Sequence, residues 1–243
     1  MKQGVWTVTS NENIARDTWR MRLQGDTAAF TAPGQFLNLS LPGFYLRRPF
    51  SICDWTENEA TLIYKVLGQG TDHMTTLPPG TQLDVLSGLG NGFSLMKAGR
   101  HPLLVGGGVG VPPLFRLCRE LRDRGLPVTV ALGFGSAAEV FYAEEFKALG
   151  AAVRIATMDG SAGVHGTALA ACDFTKHSYF YACGPTPMLK ALCGQAPIPG
   201  ELSLEERMGC GFGACVGCTV FTKAGPQKVC KDGPVFPKEA LTW

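Results

Sequence analysis

Residues 102–121 read PLLVGGGVGVPPLFRLCREL, and this stretch decides the fold of the central part of the chain. The apolar run 102–105 is typical of a buried strand, and the glycines directly after it permit a tight turn. Apolar residues then recur at helical spacing from Leu114 to Leu121, and a proline in the first turn of a helix costs no hydrogen bond. The stretch therefore predicts a strand, a turn and a helix in succession.

The same alternation continues toward the C-terminus. Further strands are predicted at 128–132, 152–156 and 179–182, with helices at 143–149 and from about Pro187. Strands that alternate with helices form parallel sheets, because parallel neighbours need a crossover connection. A central parallel α/β domain is therefore predicted over 99–200.

The N-terminal part has a different pattern. Short alternating segments at 5–8, 34–39, 60–66 and 81–85 are predicted strands, and turns rich in proline and glycine separate them. Helical signal is thin there, with one short candidate that begins at Gly70. Several short strands at this spacing predict an antiparallel barrel or sandwich in the N-terminal domain, residues 1–98.

Composition excludes several classes of protein. The chain has 243 residues, of which 17% are charged and 45% hydrophobic, so an intrinsically disordered protein is excluded. Its 22 Lys and Arg against 20 Asp and Glu give +2 with no basic block, which argues against a nucleic-acid partner. No segment approaches the ~20 apolar residues that span a bilayer, and residues 1–10 lack the apolar run of a signal peptide. We therefore expect no membrane partner and a cytoplasmic location.

Cysteine is distributed unevenly. The chain has 9 cysteines, and four of them follow the spacing Cys210-x4-Cys215-x2-Cys218-x11-Cys230. The first three match the plant-type [2Fe–2S] arrangement, in which a distant fourth cysteine completes the ligands. Glycines between them leave the backbone free of bulk, so that N–H groups can point at the sulfurs. A C-terminal [2Fe–2S] module is therefore predicted over 201–243, with these four thiolates as metal ligands.

Structural zinc is the alternative for these cysteines. Zinc sites commonly use two C-x2-C pairs or a mixture of cysteine and histidine. Here a second C-x2-C pair is missing, and no histidine follows His177. The spacing thus favours the iron–sulfur interpretation.

The glycine turn predicts a nucleotide site. Gly106, Gly107, Gly108 and Gly110 lie between a strand and a helix, where backbone N–H groups and the helix dipole favour a phosphate. The turn does not match the usual G-x-G-x-x-G fingerprint, because Val111 occupies the place of the third glycine. A merely tight turn between strand and helix is the alternative.

A second nucleotide signal lies in the N-terminal part. The segment RRPFSI at 47–52 ends a predicted strand, and Gly70 with Thr71 opens a short helix farther along. An arginine, a helix N-terminus and a hydroxyl can bind a pyrophosphate together. Phe50 and Tyr64 offer flat apolar surfaces for a ring system. The alternative is an exposed arginine pair beside a core phenylalanine.

Together, these segments resemble the ferredoxin–NADP reductase superfamily, which combines a flavin barrel carrying R-P-F-S with a nicotinamide domain carrying G-G-G-V-G-V-P-P. Residues 182–188, ACGPTPM, are similar to the Cys-Gly-x-x-x-Met segment that borders the nicotinamide in that superfamily. Residues 205–218 and 230–236 look like the tail of the electron-transfer subunits of dihydroorotate dehydrogenase B. The resemblance covers essentially the whole chain, and the tail is its most specific part.

The resemblance implies a mixed β and α/β fold: an antiparallel flavin-binding β-barrel, a parallel α/β nicotinamide-binding domain and a [2Fe–2S] module. It implies one FAD and one [2Fe–2S] cluster per subunit, with NAD as a substrate. The residues implied in FAD binding are Arg48, Pro49, Phe50, Ser51, Ile63, Tyr64, Lys65, Gly70 and Thr71. Those implied to face the nicotinamide dinucleotide are Gly106, Gly107, Gly108, Gly110, Cys183 and Gly184. No Arg or Lys occurs within 133–139 to bind a 2′-phosphate, which favours NAD over NADP.

The activity implied by the resemblance is that of an oxidoreductase subunit in the biosynthesis of the pyrimidine nucleotide UMP. In that family an FMN-containing catalytic subunit oxidises dihydroorotate, and electrons cross the cluster to FAD and then to NAD+. No acid–base residue of this chain is expected to be essential. The implied assembly is a heterotetramer with two subunits of each kind.

Two alternative functions use the same residues. One is a small FAD/[2Fe–2S] subunit of an NADH-dependent ferredoxin:NADP oxidoreductase or of a sulfide dehydrogenase, which would differ only in its partner. The other is a non-enzymatic zinc module with a structural glycine turn. An obligate partner would also explain apolar residues near the tail, and the expected interface residues are Phe212, Val216, Phe221, Val235 and Phe236.

Overall fold

The computed structural model describes residues 1–243, and its N-terminal part is a closed antiparallel barrel. The barrel strands are β1 (Lys2–Ala15), β2 (Thr18–Gln24), β3 (Phe36–Ser40), β4 (Arg48–Trp55), β5 (Glu59–Lys65) and β6 (Gln82–Leu89). They follow the order β1-β2-β5-β4-β3-β6 around the barrel. Of the barrel and the sandwich, the two folds compatible with the strand pattern, the structure is the barrel.

Alternating side chains fill the barrel, because successive residues of a strand point to opposite faces. In β2, Met21 and Leu23 are fully buried, whereas Arg22 between them is exposed. Helix α1 (Gln69–Thr75) follows β5 and adds Met74 to the same core. The barrel therefore has a hydrophobic core of its own.

The central part of the chain builds the parallel sheet that the sequence predicts. Its strands are β7 (Pro102–Gly107), β8 (Thr129–Phe134), β9 (Ala152–Thr157), β10 (Val164–His165), β11 (Tyr179–Cys183) and β12 (Gly200–Ser203). The helices between them are α2 (Pro112–Asp123), α3 (Ala143–Ala148) and α4 (Thr186–Gln195). The spatial order is β10-β9-β8-β7-β11-β12, so the direction of winding reverses at β7. No helix of the chain combines the length and the apolar character needed to cross a membrane.

The C-terminal part returns to this sheet. Strands β13 (Thr219–Thr222) and β14 (Gly225–Lys228) form a hairpin, and β15 (Val235–Pro237) pairs antiparallel with β12 as the seventh strand of the sheet. Val235 and Phe236 are only 5% and 3% exposed. The expectation that these two residues lie at an interface is wrong, because β15 packs them into the chain's own core.

Helix α2 joins the sheet to the barrel. The guanidinium of Arg116 lies 4.1 Å from the centroid of the Trp55 ring and donates to the Trp55 carbonyl at 2.8 Å. Arg116 and Arg119 both form ion pairs with Asp54 of β4. These contacts fix the sheet against the barrel, so the cavities between the two have a defined shape.

Candidate functional site

A cavity of about 240 Å³ lies where the barrel, the glycine turn and the residues after β12 meet. Seven residues predicted from the sequence as FAD-binding line it: Pro49, Phe50, Ser51, Ile63, Tyr64, Lys65 and Thr71. The remaining walls come from Phe36, Leu67, Val109, Ser203, Leu204, Glu205, Glu206, Met208 and Pro234. Three distant parts of the chain therefore enclose one largely apolar space, which we call the ring cavity.

A second cavity of about 430 Å³ adjoins the ring cavity and shares Leu67 and Thr71 with it. The other two predicted FAD residues, Arg48 and Gly70, line this second cavity. A Cβ atom on Gly70 would lie 2.9 Å from Nε of Arg48, so the arginine can lie across the helix start only because residue 70 is glycine. The two cavities together form a groove with an apolar end and a cationic end, which fits the ring system and the pyrophosphate of a flavin dinucleotide.

Two of the predicted residues have hydroxyl groups that bind protein atoms. The Thr71 hydroxyl accepts hydrogen bonds from the N–H groups of Leu67 and Gly68, at 2.9 and 3.2 Å. The Tyr64 hydroxyl donates to Oδ1 of Asn11 at 3.0 Å, and burial raises the pKa of Tyr64 to about 12. Both side chains therefore shape the groove while their polar groups are already satisfied.

Lys65 also has a protein partner. Its ammonium lies 2.9 Å from Oε2 of Glu139, in the loop after β8, and the other oxygen of that carboxylate lies 2.5 Å from Arg16. Hydrogen bonds from Lys65 and, next, Arg16 hold the pKa of the Glu139 carboxyl below its usual range. Two cations of the barrel are thus bound to one carboxylate of the sheet, beside the ring cavity.

A third cavity, of about 380 Å³, lies at the carboxyl ends of β7, β8 and β11. Its walls are formed by Gly107, Gly108, Gly133, Phe134, Gly135, Met158, Thr167, Ala168, Pro185, Pro187, Met188 and Ala191. In open α/β sheets, ligands bind outside the carboxyl ends of the strands at the point where the winding reverses, and here that point is β7. We call this space the dinucleotide cavity.

The predicted glycines bring the turn against Cys183. A Cβ atom on Gly110 would lie 2.2 Å from the carbonyl oxygen of Cys183, and one on Gly184 would lie 3.1 Å from the N atom of Gly107. The Cys183 thiol is buried, and burial raises its pKa well above the usual range. Gly107 lines the dinucleotide cavity while Val109 lines the ring cavity, so the turn is the wall between the two.

Residues 210–218 form an irregular segment that we call the cysteine loop, and its backbone N–H groups point at sulfur. Desolvation opposes ionisation of Cys210, yet hydrogen bonds from the N–H groups of Cys215, Phe212 and Ala214 lower its pKa to about 6. The Cys215 N atom lies 3.4 Å from Sγ of Cys210. The backbone thus favours the thiolate form of Cys210, which is the form that binds a metal.

The four predicted ligand thiols lie near one another. Burial, and then the interactions with Cys218 and Cys210, raise the pKa of Cys230 to about 12. No three His, Cys, Asp or Glu side chains converge closely enough to bind a single metal ion. A two-iron cluster shares four thiolates between its irons, so it does not need three side chains around one metal ion.

The cysteine loop is docked on the barrel. Asn38 of β3 is 1% exposed and donates from Nδ2 to the Cys210 carbonyl at 3.3 Å, while its Oδ1 has no partner. A Cβ atom on Gly211 would lie 1.9 Å from the same Nδ2, so the loop can pass over Asn38 only because residue 211 is glycine. Met208, two residues before Cys210, lines the ring cavity. The cysteine loop therefore begins at the wall of that cavity.

Several residues of these sites could not be found from the sequence. Asn38, Arg16 and Glu139 show no local signal, because each acts on a segment more than a hundred residues away. Glu205 and Glu206 lie in the tail segment that carries the resemblance, yet nothing in their spacing indicates that they line the ring cavity. Tertiary packing alone brings these side chains to the site.

Comparison with known proteins gives matches over the whole chain. A family model described as the iron-sulfur cluster binding domain of dihydroorotate dehydrogenase B matches residues 205–242. The chain is 44% identical to the dihydroorotate dehydrogenase B (NAD(+)), electron transfer subunit, of Shouchella clausii, covering 97% of this chain and 96% of the relative. The subunit of the same name from Fusobacterium nucleatum is 40% identical, with 95% of each chain covered.

Solved structures share the fold. A structure of NADH-dependent reduced ferredoxin-NADP oxidoreductase superposes with a TM-score of 0.89 at 28% identity, over 99% of this chain and 90% of that one. Phthalate dioxygenase reductase superposes with a TM-score of 0.66 at 20% identity, over 91% and 87%. The second likeness concerns the fold alone.

Proposed function

This chain belongs to the family of electron transfer subunits of dihydroorotate dehydrogenase B (NAD(+)), and we propose that it conducts electrons from a dihydroorotate-oxidising partner subunit to NAD+. The route runs from FMN of the partner through the [2Fe–2S] cluster to FAD, and it serves the biosynthesis of UMP. The proposal includes two subunits of each kind in the assembly and a cytoplasmic location.

The observation that carries the proposal is the linear order of three sites. Met208 connects the cysteine loop to the ring cavity, and the turn at Gly107 and Val109 separates that cavity from the dinucleotide cavity. A chain that transfers electrons between a cluster, a flavin and a nicotinamide needs these three sites as neighbours in this order. We propose a matching division of the chain into 1–98 for FAD, 99–200 for NAD and 201–243 for the cluster.

The cofactors would supply the redox chemistry, and the protein binds and orients them. When bound, FAD would collect electrons one at a time from the [2Fe–2S] cluster and pass them as a pair, in a hydride, to NAD+. Pro49, Phe50 and Ser51 bind and orient the flavin ring, and Arg48 across Gly70 binds the pyrophosphate. Cys210, Cys215, Cys218 and Cys230 bind the irons.

The dinucleotide cavity positions the nicotinamide against apolar side chains. Phe134, Met158 and Met188 give it apolar walls. The buried carbonyl of Cys183 supports the glycine turn from behind, so the turn can present N–H groups of Gly107 and Gly108 to the ligand. The thiol of Cys183 is fully enclosed and does not line the cavity, so it acts in packing behind the glycine turn.

NAD is the preferred dinucleotide in this proposal. The loop 133–139 carries no cation of its own, and the nearby Arg16, which donates to Ser136 at 2.9 Å, is already paired with Glu139. A 2′-phosphate would meet the carboxylate of Glu139 before it could displace that pairing. We expect NADH to reduce the flavin at least about tenfold faster than NADPH at equal concentration, measured by stopped-flow absorbance. Equal rates would contradict the preference.

The cluster end is the proposed contact for the partner subunit. Phe212 and Val216 lie in the cysteine loop and are 45% and 74% exposed, and Phe221 of the adjoining hairpin is 71% exposed. Exposed apolar side chains grouped in this way are typical of interaction surfaces. Electrons would then enter close to the cysteines.

The test of the proposed function is reconstitution. Co-expression with an FMN-containing dihydroorotate dehydrogenase subunit should give a stable complex that forms NADH from dihydroorotate and NAD+. The matched control replaces the chain by its Cys215→Ser, Cys218→Ser variant, which should retain FAD but lose the coupled reaction. The proposal fails if the chain binds FAD and a cluster yet forms no complex with that subunit and reduces ferredoxin instead, as the alternative reductase would.

A further inference from the structure

A cavity of about 550 Å³ lies at the edge of the sheet opposite the dinucleotide cavity. Its walls come from residues at or near the amino ends of β7, β8, β9 and β11: His101, Arg122, Pro127, Val128, Thr129, Gly150, Ala152, Arg154, Lys176 and His177. A strand of five or six residues at roughly 3.3 Å per residue separates the two edges by about 15–20 Å. None of the cofactor sites uses this cavity, which we call the basic cavity.

The walls of the basic cavity carry only positive or neutral groups. Arg122, Arg154 and Lys176 are cations, His101 and His177 add two imidazoles, and none of the lining residues is Asp or Glu. Asp173 lies 3.6 Å from the ammonium of Lys176 in a pair whose lysine is 71% exposed, and its charge also acts on Arg154 and His177. Such an exposed and long ion pair neutralises little of the local charge.

Arg122 is held in position before any ligand arrives. Its Nε donates to the Leu149 carbonyl at 3.1 Å and its Nη1 donates to the Leu126 carbonyl at 2.7 Å. Its Nη2 would lie 2.9 Å from a Cβ atom on Gly150, a residue that has a φ of +79°, and makes no protein hydrogen bond. The arginine is thus fixed by two carbonyls across a glycine, and three of its five N–H groups, including both on Nη2, remain for an acceptor.

The positive charges around the basic cavity also affect the pKa of His177. Burial lowers the pKa of His177, and the charges of Arg154 and His101 act in the same direction, against the opposing effects of the His101 carbonyl and of Asp173. Arg154 itself makes only one hydrogen bond, a long one of 3.5 Å to the Ala171 carbonyl. Its guanidinium therefore keeps most of its donors free for another partner.

We propose that the basic cavity binds a small anion that carries a phosphate or pyrophosphate group, with Arg122 and Arg154 as its principal donors. A guanidinium fork matches phosphate oxygens in geometry and charge, and a fixed one loses little conformational freedom on binding. The cavity is large enough for a phosphate and a small organic group. The proposal concerns a site separate from the electron path and does not depend on the proposed function.

Isothermal titration with inorganic pyrophosphate tests the proposal. The chain is used with its cofactors bound, at constant ionic strength, and with NAD+ in excess so that the dinucleotide cavity is filled. We expect saturable binding at about one site per chain, weakened at least tenfold in Arg122→Gln and in Arg154→Gln, since each removes charge-assisted hydrogen bonds. Arg154→Gln is the safer variant, because Arg122 also supports two carbonyls of the fold.

The control is Lys223→Gln, which removes an exposed cation in the C-terminal part of the chain. Its affinity for pyrophosphate should equal that of the wild type. The proposal is overturned if the heat does not saturate, or if all of these proteins bind pyrophosphate equally, because the attraction would then be a property of the general surface charge.

Discussion

At the residue scale, two glycines lie where a neighbouring group comes too close to leave room for a Cβ atom. Gly70 permits Arg48 to cross the start of α1, and Gly110 permits the turn to rest on the Cys183 carbonyl. Glycine permits such approaches because it has no Cβ atom. Substitution by alanine at these two positions should therefore cause two different defects.

Gly70→Ala should weaken FAD binding. The new Cβ atom would lie 2.9 Å from Nε of Arg48, so the flexible arginine must move away from the cavity in which we place the pyrophosphate. Loss of one charge-assisted contact corresponds to roughly a tenfold loss of affinity. Flavin release on dilution, followed by fluorescence, measures it.

Gly194→Ala is the control for that variant. Residue 194 lies in α4, lines neither part of the flavin groove, and a Cβ atom there would meet nothing within 4 Å. If Gly194→Ala releases FAD as readily as Gly70→Ala does, the assignment of Arg48 to the pyrophosphate is wrong.

Gly110→Ala should destabilise the fold. A Cβ atom 2.2 Å from a backbone carbonyl oxygen cannot be relieved by a side-chain rotation, so the turn must move away from Cys183. Overpacking of this kind costs about 1–3 kcal/mol. Urea unfolding should show the loss, together with a raised KM for NADH.

A control for this second variant lies in α4. Gly194 has open space where a Cβ atom would stand, and alanine is the better helix former by roughly 1 kcal/mol. Gly194→Ala should therefore leave the free energy of unfolding equal or raise it. A Gly110→Ala protein as stable as the wild type would show that the turn does not rest on Cys183.

At the scale of elements, the loop after β8 is bound to the barrel by charge. Glu139 accepts from Lys65 at the end of β5 and from Arg16 in the turn after β1. The backbone N–H of Arg16 also donates to the Ala138 carbonyl at 2.9 Å. This contact fixes the carboxyl edge of the sheet beside the ring cavity, so it positions the dinucleotide cavity relative to the flavin.

Glu139→Gln should slow the reduction of FAD by NADH while leaving the FAD content unchanged. Hydride transfer depends steeply on the distance and angle between the rings, and a looser loop widens both, so we expect a loss of about tenfold. Glu144→Gln is the control, because its pair with Lys147 is exposed and lies away from both cavities. If NADH reduces FAD in Glu139→Gln at the wild-type rate, Glu139 does not position the dinucleotide cavity.

The same residue predicts a pH dependence of stability. Lys65 and then Arg16 lower the pKa of Glu139 in the folded state, so the contribution of this carboxylate is fully present above the unfolded value of about 4.3. It is lost as the pH falls through the lower folded value. The difference in the free energy of unfolding between the wild type and Glu139→Gln should therefore be constant above about pH 5 and shrink in acid.

The elements show what local sequence can and cannot predict. The apolar run 102–105 became β7 almost unchanged, because a buried parallel strand has an unmistakable composition. Strand β1, in contrast, extends over Lys2–Ala15, far beyond the predicted segment 5–8, and β2 was not predicted at all. Both carry many polar residues on the outer face of the barrel, and their pairing over the whole length is what makes them strands.

At the scale of the whole molecule, the fold class and the grouping of the predicted residues followed from sequence. Spacing alone led to the prediction of the four cysteines as ligands, because a cluster needs thiolates from one tightly wound loop. The docking of that loop on Asn38, and the return of β15 to the sheet, required contacts between distant segments. Those contacts are what place the cysteine loop beside the ring cavity.

The most direct test of the central claim is electron paramagnetic resonance of the cofactor-loaded chain after anaerobic addition of NADH. Electrons should pass from NADH through the flavin to the cysteine loop, giving the signal of a reduced [2Fe–2S] cluster at about one spin per chain. A chain whose flavin is bleached by NADH while no cluster signal develops would contradict the proposed order of the three sites.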